Sequence, residues 1–185
     1  VYIYDYVTQI ILNTTEHKMY PDEKFKMTAT VYPPTARYKD VNWSVSDTSI
    51  ATIDTLGNVT GYKAGIVTIT ASAKDPHGVS IDCKFTLLQK VDSITFNYSS
   101  YDLYKCSKLK VEPNISPANA YNKSVSYSSS DTSIASIDSN GLIKPYKVGV
   151  VTITVTALDK KGAVGTYNVY VRQNITAVHL YLKCT

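Results

Sequence analysis

Long apolar runs are missing from this sequence: no stretch approaches the ~20 residues that cross a bilayer, so no membrane insertion is expected of it. Helical periodicity is missing too, since no window of eleven or more residues carries an apolar stripe at 3.6-residue spacing. The three cysteines form no CxxC pair and are odd in number, which excludes a zinc knuckle and a full disulfide framework. Glutamate occurs only at positions 16, 23 and 112, so a pair of carboxylates for glycoside hydrolysis would have to come from aspartates. His17, His77 and His179 each stand alone, without the i,i+4 or CxxC-type spacing of metal ligands. There is no GxSxG elbow to present a nucleophilic serine. The net charge of +4 comes from lysines placed singly or in pairs (Lys24, Lys26; Lys160, Lys161), with no run that could follow a phosphate backbone. No nucleic-acid partner is expected. Val1–Tyr6 has neither a basic region nor a small-residue cleavage site and is not a signal peptide, which leaves export open.

What is present is a repeat. Trp43-Ser-Val-Ser-Asp-Thr-Ser-Ile-Ala-Thr-Ile-Asp54 returns 84 residues later as Tyr127-Ser-Ser-Ser-Asp-Thr-Ser-Ile-Ala-Ser-Ile-Asp138. The same offset carries Val7 to Val91, Pro33 to Pro117, Gly57 to Gly141, Gly65 to Gly149, Asp75 to Asp159 and Gly78 to Gly162. Aligned without a gap, residues 7–89 match residues 91–173 at 31 of 83 positions. Unrelated sequences would share about five at ordinary residue frequencies, so the chain holds a true repeat. Its period predicts four segments: 1–5 as the last strand of a preceding unit, 6–89 and 90–173 as two complete units, and 174–185 as the first strand of a following one.

Each unit reads as β throughout. Phe25, Met27, Ala29 and Val31 alternate with lysine and threonine, as Val67, Ile69 and Ala71 do with threonine and serine, and as Ile81, Cys83, Phe85 and Leu87 do with polar residues. Period two is the mark of a half-buried strand. The second unit repeats the pattern at Leu109, Val111 and Ile115, at Val151, Ile153 and Val155, and at Tyr167, Val169 and Val171. Pro33-Pro34, Asp47-Thr48-Ser49, Leu56-Gly57-Asn58 and Asp75-Pro-His-Gly78 supply the turns. About seven short strands per unit, with a turn every 8–12 residues, predict an all-β fold of two tandem β-sandwiches. Trp43, Tyr127 and Tyr167 take core positions in that reading, while Tyr2, Tyr4 and Tyr170 point outward.

Val41-x-Trp43-Ser-x-Ser-Asp47, Ile50-Ala51-x-Ile53-Asp54, Gly57, Val59-Thr60-Gly61, Ala64-Gly65 and Val67-Thr-Ile-Thr-Ala71 together resemble the bacterial immunoglobulin-like domain, group 2. The second unit agrees at Val125, Ser128, Ser130-Asp131, Ile134-Ala135, Ile137-Asp138, Gly141, Gly149 and Val151-Thr-Ile-Thr154. It departs with Tyr127 for the tryptophan, Pro145 for a glycine and Val148 for an alanine. The resemblance implies small immunoglobulin-like sandwiches strung in tandem on bacterial surface proteins, adhesins among them, or on phage virions. It implies no catalytic residues and names no ligand.

Candidate chemistry is accordingly sparse: no catalytic, cofactor-binding or metal-ligating residue is expected, and no cofactor. Asp47, Asp54, Asp131 and Asp138 recur in register, as turn caps or, in the sharper alternative, as calcium ligands. Calcium wants 6–8 converging oxygens, and no DxDxDG-like cluster is present. The three histidines read as surface residues, and Cys83 as a buried thiol in phase with Ile81, Phe85 and Leu87. Cys106 and Cys184 stand at unmatched positions. Seven Asn-x-Ser/Thr triplets, at Asn13, Asn42, Asn58, Asn97, Asn114, Asn122 and Asn174, flag a glycosylating host. Sixteen tyrosines offer rigid rings with polar tips, suited both to strands and to binding patches. The function expected is a non-catalytic spacer or adhesion segment of a cell-surface or secreted protein, its partners a protein or carbohydrate surface ligand and the neighbouring repeats of the same chain. The alternatives are a virion decoration and a carbohydrate-binding accessory module of a secreted enzyme.

Overall fold

Valine, isoleucine and alanine alternating with threonine or serine make a nine-residue strand in each unit, because β-branched side chains pack well on a pleated surface with one face buried. The structure, a computed structural model, describes residues 5–105 and 107–173. The chain divides between Gln89 and Lys90 into two compact units, each with its own core.

The first unit contains β1 (Gln9–Leu12), β2 (Glu16–Met19), β3 (Lys24–Lys26), β4 (Ala29–Tyr32), β5 (Val41–Val45), β6 (Ala51–Ile53), β7 (Asn58–Gly61), β8 (Gly65–Ala73) and β9 (Ser80–Leu87). One layer is the sheet β2-β9-β8-β5, in which β2 runs parallel to β9 and the other pairs are antiparallel. The facing layer combines the pair β1-β4 with the sheet β3-β7-β6. The second unit repeats every element: β10 (Ser93–Thr95), β11 (Ser100–Tyr104), β12 (Leu109–Lys110), β13 (Asn114–Ser116), β14 (Val125–Ser129), β15 (Ala135–Ile137), β16 (Leu142–Pro145), β17 (Gly149–Ala157) and β18 (Val164–Arg172). Its ladders, β11-β18-β17-β14, β12-β16-β15 and β10-β13, match those of the first unit. Each unit is an all-β immunoglobulin-like sandwich, and among the described residues no helix is present.

Nine strands appear where about seven were expected because two of the seven are each broken in two. The first strand breaks at Asn13: β1 pairs with β4 in one layer, and β2 crosses to lie along β9 in the other. The alternating run Phe25–Val31 forms two strands rather than the single one its period suggests, β3 on β7 and β4 on β1. Asn13 serves both breaks, its Nδ2 donating to the Lys26 carbonyl at 3.0 Å and its Oδ1 accepting the Thr28 N–H at 3.0 Å. The side chain stands in for ladder bonds that the backbone gives up there. Gly57, at φ +84°, lets its carbonyl accept the Met27 N–H at 2.8 Å, and a Cβ at Gly57 would sit 2.5 Å from the Met27 oxygen.

The first core gathers Met27, Val59, Val67, Ile69, Ala71, Cys83, Phe85 and Leu87, all essentially inaccessible. Ile143, Val151, Ile153, Val155, Val169 and Val171 do the same in the second. Tyr167 is buried as expected. Trp43 and Tyr127 need correction: both pack against their cores yet are only half-buried. Each lies on the edge strand of its four-stranded sheet (β5, β14), where no neighbouring strand covers the outer side of the ring. Residues 1–4 and 174–185, expected to belong to a preceding and a following unit, lie outside the described residues, as do Tyr2, Tyr4, Cys106, Asn174, His179 and Cys184. Asp5 lies against the first unit, bridging Ala36.

Candidate functional site

Turn chemistry accounts for the recurring aspartates. Asp47 Oδ1 accepts the Ser49 N–H at 2.8 Å and the Ser49 hydroxyl at 2.7 Å, and Asp131 holds Ser133 in the same way. Asp54 Oδ1 accepts from the N–H groups of Leu56 and Asn58, and Asp138 from those of Asn140 and Leu142. The bonds from Ser49, Asn58 and Ser133, and from the Leu142 N–H, hold all four carboxyls below the usual carboxylate range. These oxygens are turned to backbone donors rather than toward a common point. Among the described residues, no group of three or more His, Cys, Asp or Glu side chains is placed to hold a metal ion.

Asp75 and Asp159, read from the sequence only as repeating turn residues, are buried carboxylates. Asp75 Oδ2 accepts the N–H of Val7 at 2.7 Å, and Oδ1 that of His77 at 3.0 Å. Asp159 Oδ2 accepts the N–H of Val91 at 2.6 Å, while Oδ1 takes those of Lys161 at 3.2 Å and Gly162 at 3.0 Å. Each fastens the hairpin before the last strand to the point where the chain enters the unit. In the second unit that entry is the linker itself: Val91 is fully buried, and Lys161 reaches Asp92 at 2.7 Å. The signal was available, since Asp75, Gly78 and Val7 all recur at the 84-residue offset.

Of the histidines, His77 is an exposed turn residue with its ring 4.1 Å from that of Tyr6. His17 is not the surface residue expected. Its ring lies 3.7 Å from that of Phe25 and 5.3 Å from that of Phe85, on the inward face it shares with Met19. Burial pushes its pKa down, partly opposed by the Glu23 charge. The unfolded chain therefore binds the proton more readily than the folded unit. The stabilising effect of a neutral His17 is fully present above the ordinary value of ~6.5 and is lost as pH falls through the lowered folded value. Mild acid is expected to lower the denaturation midpoint of the first unit, and His17→Phe to flatten that dependence below about pH 7. Equal pH profiles for the two proteins would contradict the stacked, neutral ring.

Cys83 is buried among apolar neighbours, and desolvation, with a smaller push from Glu16, raises its thiol to about 11. Since the thiolate is the nucleophile, Cys83 is expected to stay unlabelled by maleimide in native buffer and to react only on unfolding of the first unit. Peptide mass spectrometry checks this, and rapid native labelling at Cys83 would contradict it. Tyr170 lies on the outer face as expected, its ring 5.3 Å from the Arg172 guanidinium. Among the asparagine triplets, Asn13, Asn58, Asn97, Asn114 and Asn122 commit their side chains to hydrogen bonds, whereas Asn42 is exposed on β5.

Two sandwiches with turn-bound aspartates and carboxylate-fastened entries define a tandem immunoglobulin-like protein. The chain belongs to the bacterial Ig-like domain (group 2) family, matching it over residues 6–82 and 90–167. It is 33% identical over 164 residues to an uncharacterized protein of Clostridium acetobutylicum, an overlap of 89% of this chain and 17% of that protein. It is 31% identical over 143 residues to an Ig-like virion protein of Serratia phage KSP90, covering 74% of this chain and 55% of the phage protein. The chain thus spans less than two thirds of either relative. Among solved structures, a mouse clustered protocadherin (extracellular domains 1–3) superimposes with a TM-score of 0.50 at 12% identity, covering 89% of this chain and 67% of that one, a likeness of fold alone.

Proposed function

We propose that this chain is a non-catalytic spacer and adhesion segment of a bacterial cell-surface or secreted protein, in which serial sandwiches carry other parts of the molecule away from a surface. The observation that carries this reading is the linker. Leu88-Gln89-Lys90-Val91 lacks glycine and proline, and Val91 is anchored twice, its side chain in the second core and its N–H on Asp159. A joint this short, without glycine or proline, favours a stiff connection over a flexible tether. Repeats of this kind add reach without demanding a larger core. The partners proposed are the neighbouring repeats and a protein or carbohydrate surface ligand, at an extracellular location.

A second reading, decoration of a phage virion, draws support from the overlap with the phage virion protein over 74% of this chain. A third, an accessory module of a secreted enzyme, draws on a shorter match: 49 residues are 53% identical to an alpha-L-arabinofuranosidase of Bifidobacterium longum, covering 26% of this chain and 5% of that enzyme. Antibodies raised against the two-unit segment distinguish the readings. Labelling of intact, unpermeabilised bacteria is the expected result, labelling of purified particles favours the virion, and signal only after permeabilisation would overturn both.

A further inference from the structure

The two units are built to one plan, so the places where equivalent residues differ in size identify where one unit has opened. In the first unit, His17, Phe25 and Phe85 pack their rings together and close the side of the core between β2 and β3. The equivalents in the second unit are Tyr101, Leu109 and Val169. Two of the three rings are gone, and Tyr167, which replaces Cys83, fills only part of the space, lying 5.4 Å from Phe96. What is left is a cleft of about 220 Å³ between the Phe96–Tyr101 segment and β12. Tyr101 shares the inward face of β11 with buried Leu103, yet it is 44% exposed, because the cleft opens in front of it. Tyr98, 70% exposed, stands at the mouth.

The lining sets the ligand's chemistry. Phe96, Tyr98, Tyr101 and Tyr167 supply ring faces and edges, while Lys110, Glu112 and the Nδ2 of Asn97, whose Oδ1 already accepts from Asn114, supply donors and acceptors at the rim. Lys110 and Glu112 are 3.4 Å apart and exposed, so an ion pair at the rim offers both hydrogen-bonding polarities within one ligand's reach. A ligand that suits this site has an apolar face to lay on an aromatic ring and a girdle of hydroxyls that both donate and accept. A flat hydrocarbon would leave the rim unpaired, and an anion would meet Glu112. The volume lies below the ~300–1,000 Å³ of clefts that hold drug-sized molecules, which limits the occupant to about one ring.

We propose that the second unit binds a neutral pyranose ring in this cleft, with its C–H face on Tyr101 or Tyr98 and its hydroxyls on Asn97, Lys110 and Glu112. In the first unit the stacked rings of His17, Phe25 and Phe85 fill the equivalent place. The proposal rests on the carbohydrate-ligand part of the proposed function and not on the joint between units, so its failure leaves the spacer reading standing.

The test is a chemical-shift titration of the whole chain with the methyl glycosides of glucose, galactose, mannose and N-acetylglucosamine. A single-ring ligand is expected to bind with Kd of order 1–10 mM. At least one glycoside is expected to shift resonances of Tyr98, Tyr101 and Tyr167 while leaving the first unit unchanged. Tyr101→Ala is expected to weaken binding about tenfold, in line with the loss of one aromatic contact. The pair Tyr101→His with Leu109→Phe, which installs the first unit's own residues, is expected to abolish it and remains decisive if the alanine variant is misfolded. No shifts with any of the four glycosides, shifts that appear equally in the first unit, or shifts that survive the filled-in variant would each overturn the proposal.

Discussion

Phe85→Ala is expected to destabilise the first unit by about 3–5 kcal/mol, the usual cost of removing a fully buried aromatic ring from a core that cannot collapse around the gap. Phe85 is inaccessible to solvent, and its ring meets Phe25 at 5.7 Å and His17 at 5.3 Å. It sits on β9, paired on one side with Val67 of β8 and on the other with His17 of β2, so strands on both flanks hold the backbone in place. A domain of this size has a total stability of roughly 4–12 kcal/mol, and the substitution removes a large part of it. The effect is expected to stay in one unit, since no Phe85 partner lies in the second core. Trp43, the sole tryptophan, reports the first unit alone. Urea unfolding followed by Trp43 fluorescence should therefore show an early transition, with a later one by circular dichroism at the position found in the unsubstituted protein. A fluorescence midpoint shifted by less than about 1 kcal/mol in stability would place the ring outside a tight core.

Asp159→Ala is expected to cost the second unit about 2–4 kcal/mol. The carboxylate accepts three backbone N–H groups, and hydrogen bonds to charged acceptors contribute about 1.5–3 kcal/mol each before losses are shared. Alanine leaves the Val91 N–H buried with no acceptor, which carries the larger part of the penalty. Asp159→Asn keeps one acceptor oxygen at similar volume and should cost less than half as much. The linker gives a second readout, because Val91 loses its tie to the hairpin while its side chain stays in the core. Hydrogen exchange at the Val91 amide is expected to accelerate in Asp159→Ala by more than global destabilisation alone would produce. Unchanged protection at Val91 would mean that the carboxylate does not anchor the entry.

Asp159 also marks the boundary of what sequence reading reached. The alternation of Val67, Ile69 and Ala71 was legible because side-chain direction along a strand depends only on the residue's own position. The break between Phe25 and Val31 was not, because both halves face the same core and keep the same period while pairing with different neighbours, β7 and β1. Trp43 shows a related gap: Val41-x-Trp43-x-Val45 marks the ring as inward-facing, but its depth depends on β5 being an edge strand, a property of the assembled sheet. His17 gave no sign of its place because its stacking partners arrive from positions 25 and 85, joined only when β2 crosses between layers. Exposed turn aspartates were legible from local spacing alone, since each bonds to donors two to four residues away. Asp75 and Asp159 act across 68 residues and needed the repeat to reveal them.

The spacer proposal stands or falls on the joint between the units, and small-angle X-ray scattering on the two-unit segment tests it most directly. A stiff spacer is expected to give a scattering profile that a single conformer fits. A compact particle with the sandwiches side by side, or a profile that only a broad range of interdomain angles can fit, would contradict a stiff spacer.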